Sequence, residues 1–406
     1  MKYYTQLRQI LFALAISFIV TACSSSNDII IHPVNINPDN LTNKTDKNYD
    51  QDRSGETNLI TDTYRYQLPV IFHVFCMQGS DTKDILTPER INFILKNVND
   101  LWKGLYKSYD NHNNDIDVDF VLATDATETD KSGNTVYVRL KHPGIDYIDW
   151  TGDSIDVEKF MNDNSNNPAY MEHLWDPNHY INIMIFPYKN ATTDGSTILG
   201  ISDLPYTTND SHKLEGLIAP KLVPKDKSNL KFVYCSSINA IFTNSRFDSN
   251  RYTTVNGFNS SNVDISATLA HELGHYLGLH HVFTEDKDGN ILNSCDDTDY
   301  CEDTPSYNKK EYDTWLSHYI LTSPHYYLNE MDIRHNCAGD TFHASNFMDY
   351  SVCTSDFFSK DQRDRIRHVL YYSPLIPGPK KAASSRAIGT RAEENQILDL
   401  PVMIRK

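Results

Sequence analysis

His271-Glu272-Leu273-Gly274-His275-Tyr276-Leu277-Gly278-Leu279-His280-His281 is the stretch on which the reading of this chain turns. His271 and His275 are four residues apart, so on a helix they share one face. Two imidazoles on one face can hold one metal ion. Glu272 lies beside them, placed to reach a metal-bound water without binding the metal. Gly278 tolerates a positive φ, which ends the helix and turns the chain. His281 then returns as a third nitrogen ligand. Three protein ligands leave a fourth tetrahedral position for water, the arrangement of a catalytic zinc rather than a structural one. The plainer alternative is a buried helix with polar residues facing out, for which Leu273, Tyr276, Leu277 and Leu279 supply core material. The spacing of Gly278 and His281 after the H-E-x-x-H pair decides for the metal. His280 falls on no ligand spacing.

The rest of the chain sets the compartment. Its 406 residues suffice for one large domain or two small ones. The formal charge of −17 makes nucleic acid and anionic membrane surfaces poor partners. Lys2 and Arg8 form a basic start, and residues 10–20 are a largely apolar run too short to span a bilayer comfortably. The run ends in Val20-Thr21-Ala22-Cys23, which resembles a bacterial lipobox. Residues 1–22 are then a lipoprotein signal peptide. Cys23 becomes the lipidated first residue, and lipid chains tether the protein to a membrane without a transmembrane helix. Ordinary cleavage after a small residue is the alternative. Residues 23–63, rich in Asn, Asp, Thr, Ser and Lys, read as a flexible tether. Seven Cys minus Cys23 leaves six, an even number that favours disulfides in an exported protein.

The folded part is expected from Tyr64. Residues 67–76 are a β-rich run that reads as a buried strand. Thr87-Pro88-Glu89 opens a helix, with Thr as N-cap and Pro in the first turn. Ile91, Ile94, Leu95, Val98, Leu101, Trp102 and Leu105 follow at helical spacing. Ile116, Val118, Phe120 and Leu122 alternate as in a half-buried strand. Residues 180–186, 198–205 and 230–235 read as further strands, and the metal helix as 263–277. Strand, helix, several strands, then helix predicts an α/β sheet domain with the site helix packed beneath the sheet. Residues 282–345 read as loops, Ser359-Lys360-Asp361-Gln362 as a capping box before a last helix. Residues 376–406 form a tail whose end either docks as a strand or stays loose.

The extended motif, together with Asn346-Phe347-Met348-Asp349-Tyr350-Ser351, resembles the metzincin metalloproteases, and within them the pappalysin family. Asp299-Tyr300-Cys301-Glu302-Asp303-Thr304-Pro305 carries the same resemblance. Softer matches are the strands at Pro69-Val70-Ile71-Phe72-His73-Val74 and Gly200-Ile201-Ser202-Asp203-Leu204-Pro205. Together they span residues 64–372. The resemblance implies an α/β (α+β) fold: a twisted mixed sheet with two main helices above a cleft, and an irregular C-terminal subdomain below. The metalloprotease domain would occupy 64–375, dividing near residue 281. Met348 would lie beneath the three His ligands as a hydrophobic base, and the Tyr350 hydroxyl near the zinc. The family pattern suggests Cys295–Cys337 and Cys301–Cys353 disulfides, although four Cys permit three connectivities. Cys76 and Cys235 are left over, as a bridge between strands or as two buried thiols. Asp299 and Thr304 match positions that bind calcium in some members. Two departures stand out: a long Tyr-rich insertion at 306–336, and a segment after Tyr350 lacking the acidic residues that relatives link to a basic side chain beyond the cleaved bond.

These readings imply a zinc endopeptidase. Glu272 would take a proton from the zinc-bound water and pass it to the leaving amine, and Tyr350 would help stabilise the oxyanion. A peptide substrate would bind extended in the cleft along residues 199–204. Two rivals stand beside this reading. One is a membrane-tethered binding lipoprotein with a vestigial metal site; the other is a zinc amidase acting on cell-wall material.

Overall fold

The computed structural model describes residues 60–79, 82–106, 115–129, 135–189, 192–193, 196–249, 252, 264–350, 352–381, 392–402 and 404–405. Cys23, the signal segment 1–22 and the tether to residue 59 lie outside the described residues. Among the described residues no helix is long and apolar enough to cross a membrane.

The core is organised around β1 (Tyr66–Met77), buried along nearly its whole length, as expected of a strand covered on both faces. Its two halves use one edge for two partners. Tyr66 to Val70 pair parallel with β2 (Val118–Leu122), and Phe72 to Met77 pair parallel with β3 (Ile145–Trp150). Its other edge takes β4 (Ile181–Phe186), also parallel, in the register Val70↔Ile181. Near one end, Phe75 meets Trp150, Phe160 and Phe186 edge to face at 5.3, 5.7 and 5.4 Å. Such pairs contribute about 0.5–1.5 kcal/mol each beyond the area they bury.

Between β1 and β2 runs α1 (Pro88–Trp102). Thr87 caps it by accepting from Arg90 N, Pro88 opens it, and Ile91, Ile94, Leu95, Val98, Leu101 and Trp102 form its buried stripe. Leu105 lies beyond the helix and is exposed.

The sheet continues through β4 to β5 (Gly200–Asp203) and β6 (Ser236–Asn239). β6 is parallel to β4 and antiparallel to β5, so the sheet is mixed and reverses at β5. The metal-motif helix, α2 (Ile265–Tyr276), packs against α1, β5 and β6. The expected mixed sheet with two main helices is therefore observed.

Four expectations are corrected. The strand expected at residues 230–235 lies at Ser236–Asn239 instead. Leu230, Phe232, Val233, Tyr234 and Cys235 are buried core filler on irregular backbone, whereas the polar Ser-Ser-Ile-Asn run carries the ladder. The loop-rich reading of 282–345 misses α3 (Lys309–Thr322), which Asn308 caps by accepting from Glu311 N. The hairpin β7 (Ile333–His335) with β8 (Thr341–His343) follows it.

The disulfides are the third correction. Cys295 and Cys337 are bonded. Cys301 and Cys353 are thiols instead, each turned onto its own loop: Cys301 Sγ donates to Asp299 O at 3.6 Å and Cys353 Sγ to Asn346 O at 3.2 Å. Nor do Cys76 and Cys235 bridge. β4 separates their strands, and Ser236 is level with Ile183 and Phe72, four residues short of Cys76. Two strand spacings of roughly 4.8 Å exceed the reach of a disulfide.

The fourth correction concerns the substrate edge. Part of the edge expected for substrate is occupied, because β9 (Ile404–Arg405) pairs antiparallel with β5 in the register Ile404↔Asp203, Arg405↔Ser202. The tail reaches it past Asn229 and Tyr206. Leu398 N donates to Asn229 O, Tyr206 donates to Pro401 O at 2.7 Å, and Leu398 and Leu400 are buried.

The last helix, α4 (Lys360–Tyr372), begins with the capping box read from Ser359 and Gln362, and both of its hydrogen bonds are present.

Candidate metal centre

Asp264 starts α2 by accepting from Ser266 N and Ala267 N. About two turns on, His271, Glu272 and, a turn later, His275 are all buried. Gly278 follows at φ +96°, where a Cβ would also meet Val369 Cγ2 at 2.7 Å, and the chain turns back so that His281 reaches the other two imidazoles. One ligand nitrogen from each of His271, His275 and His281 lies within 4.8 Å of the others, and among the described residues this is the grouping of His, Cys, Asp and Glu suited to a metal ion. His275 Nε2 and His281 Nε2 are 3.1 Å apart.

The other ring nitrogens fix which atoms face that point. His271 Nδ1 lies 2.5 Å from Phe347 O, His275 Nδ1 2.8 Å from Leu279 O, and His281 Nδ1 2.8 Å from Glu285 Oε2. Carbonyl and carboxylate oxygens only accept, so each Nδ1 carries the proton and each Nε2 presents a lone pair. Burial holds the His271 imidazole below its ordinary pKa, against the pull of the Phe347 carbonyl, which favours the neutral ligand form. Three neutral imidazole nitrogens match the protein ligand set of a catalytic zinc.

Glu272 supports the same fit. Burial raises its pKa well above the carboxylate range, and among the described residues its Oε2 has no hydrogen-bond partner. A buried carboxylate oxygen without a partner is costly, and a water or substrate amine beside the metal would satisfy it. β5 presses on this carboxylate: a Cβ added to Gly200 would fall 2.6 Å from Glu272 Oε1.

Met348 is fully buried beneath α2, and a Cβ on Gly274 would lie 2.6 Å from its Sδ. The Tyr350 ring stands 4.4 Å from His281, 5.7 Å from His271 and 5.0 Å from Phe283. The structure thus brings His271, Glu272, His275, His281, Met348 and Tyr350 together. Asp299 and Thr304 pair with each other: Thr304 Oγ1 donates to Asp299 Oδ2 at 2.6 Å, while Cys301 N donates to Oδ1.

Sequence reasoning missed the supporting residues. Glu285 follows His281 by four positions, a spacing that could have flagged it. Gln362 of the capping box also exchanges amide hydrogen bonds with Asn346 at 2.8 and 3.1 Å, tying α4 to the Met348 turn. Arg365 donates to Gly278 O and Glu215 O, fixing the turn between the second and third His. No local signal marks these contacts.

Comparison with known proteins finds a family match over the residues of this centre. Residues 243–371 match the Peptidase_M43 family, described as pregnancy-associated plasma protein-A. The match takes in 129 of the 406 residues, among them His271, Glu272, His275, His281, Met348 and Tyr350. It is similar to an extracellular metalloprotease of Arthroderma otae, 36% identical over 118 residues, covering 28% of this chain and 34% of the relative. An extracellular metalloprotease of Arthroderma benhamiae is 35% identical with the same coverages. The chain spans about a third of the length of these curated relatives. Among solved structures it is similar to mirolysin in complex with compound 9, at 18% identity, 76% of this chain, 92% of that chain and a TM-score of 0.45. Mature mirolysin of Tannerella forsythia in complex with a cleaved peptide follows at 18% identity, 75% and 90% coverage and a TM-score of 0.43.

Proposed function

We propose that this chain is a zinc-dependent endopeptidase that hydrolyses extended segments of extracellular or periplasmic proteins. The observation that carries the reading is the convergence of three buried imidazoles, each with Nδ1 committed to an acceptor, beside the buried Glu272 carboxylate. His271, His275 and His281 would hold the ion, which when bound supplies a Lewis acid and lowers the pKa of water towards neutrality. Glu272 takes the proton of the attacking water and delivers it to the departing amine. Its contact with Gly200 keeps the carboxylate aimed into the site. The Tyr350 hydroxyl stabilises the oxyanion, and Met348 gives the triad an apolar floor.

The peptide pairs with β5 near Gly200, where the backbone passes Glu272. At Ser202 and Asp203 it competes with β9. In this reading the catalytic domain runs over residues 64–375, with an upper part to about residue 281 and a lower part beyond. Export rests on the N-terminal segment and on the names of the two fungal relatives, and anchoring rests on Cys23. A calcium ion would take Asp299 and Thr304 among its donors. The test is a peptide-library digest by residues 24–406 with and without a zinc chelator. Internal cleavage that stops with chelation and returns with zinc is expected; cleavage that persists without metal contradicts the proposal.

A further inference from the structure

The insertion at 306–336 meets the Met348–Tyr350 turn through several side chains, Arg334 and Tyr307 among them. Arg334, on β7, is fully buried. Its Nη2 donates to Tyr350 O at 3.1 Å and to Val352 O at 3.0 Å, and its Nη1 donates to Met331 O at 3.2 Å. Its Nε faces Asp349 Oδ2 at 3.4 Å, and the guanidinium lies 3.6 Å over the Tyr312 ring. Asp349 Oδ1 in turn accepts from Tyr307 Oη at 2.5 Å and from Tyr350 N at 2.7 Å. Tyr350 is therefore gripped on both sides of its backbone, with its carbonyl held by Arg334 and its N–H by Asp349. Tyr307 and Arg334 both belong to the insertion.

A buried ion pair is a poor source of stability, because the desolvation of two charges offsets their attraction. What this one supplies is geometry. The planar fork fixes the directions of the Tyr350 and Val352 carbonyls while facing the Asp349 carboxylate, and a Lys ammonium cannot reproduce that fork. The phenol oxygen sits at the far end of the Tyr350 side chain, so a small pivot of the backbone at 350 becomes a large displacement at the hydroxyl.

We propose that Arg334, braced by Asp349 and Tyr307, is a positioning residue that holds the Tyr350 hydroxyl over the His271–His275–His281 centre. This rests on the proposed peptidase reading, in which that hydroxyl assists the reaction. The insertion then serves the chemistry as a brace for the Met348–Tyr350 turn.

A double-mutant cycle on the zinc-loaded protein tests it. Arg334→Lys should lower kcat about tenfold with KM little changed, since misplacement acts on the transition state. Zinc stoichiometry should stay that of the parent. In a Tyr350→Phe background the same Arg334→Lys change should cost almost nothing more, because the hydroxyl it positions is gone. If Arg334→Lys does not fold, Tyr307→Phe replaces it; this variant keeps the ring and drops the hydroxyl on Asp349, and the same non-additivity is expected. An impaired Tyr350→Phe combined with additive losses, or with an unaffected kcat in the brace variant, overturns the positioning role alone. Full activity in Tyr350→Phe overturns the Tyr350 reading and the proposal together.

Discussion

His281 Nδ1 lies 2.8 Å from Glu285 Oε2, and both side chains are buried. The pair sets the tautomer of the third imidazole and orients its ring towards the other two. His281 lies beyond α2 on irregular chain, so this contact does the orienting that α2 does for His271 and His275. Glu285→Gln should therefore weaken zinc binding by roughly 10–100-fold, the usual consequence of losing a partner of a metal-bound His. Competition with a chromophoric chelator measures it; unchanged affinity would show that the turn alone positions His281.

The tail predicts competition with substrate. From Ile404 to Arg405 it steps from Asp203 to Ser202, towards Gly200 and Glu272. A peptide antiparallel to β5 would place there the residues preceding its cleaved bond. Ending the chain at Val402 frees those backbone groups. At about 1 kcal/mol for each hydrogen bond freed from this two-residue pairing, KM should fall roughly tenfold or more for peptides long on that side. Peptides short on that side should be unaffected. Equal KM values for the two chains on long peptides would contradict the arrangement.

Gly200 predicts a kinetic defect with the fold intact. A Cβ there meets the Glu272 carboxylate at 2.6 Å, so the carboxylate must move. Gly200→Ala should cut kcat by about tenfold or more, because displacement of a proton-transfer group is felt in the transition state, while thermal unfolding shifts little. Retention of wild-type kcat would mean that Glu272 is not held in its working position by β5.

Asp299 predicts a pH effect on stability. Burial pushes its carboxyl from 3.8 up to about 8. The folded chain keeps a proton there that the unfolded chain releases, so this contribution is fully present below about pH 4 and is lost as pH rises towards 8. Asp299→Asn, which stays neutral, should gain on the wild type progressively across that window in calcium-free urea unfolding. A constant difference between the two would remove the buried neutral carboxyl from the account. Added calcium should stabilise the wild type more at pH 8 than at pH 5.

Legibility in the sequence followed the range of the interactions. The metal helix, its turn at Gly278, the caps at Thr87 and Ser359 and the strand β1 are local patterns, and each appears in the structure where it was read. Residues 230–235 misled because a buried apolar run looks the same whether or not its backbone joins a ladder. α3 escaped because it buries little beyond Lys309 and Tyr312 and so has no apolar stripe to read. Arg334, Gln362 and Arg365 act across long separations in sequence, and only the folded chain brings them to Tyr350, Asn346 and Gly278. The pairing of β9 with β5 is of the same kind.

The most direct test of the central claim is hydrolysis of an internally quenched peptide by Glu272→Gln, with zinc content measured on the same sample. The account predicts bound zinc at the parent's stoichiometry and a kcat lower by roughly 10²–10⁴-fold. Wild-type turnover with zinc in place would contradict it.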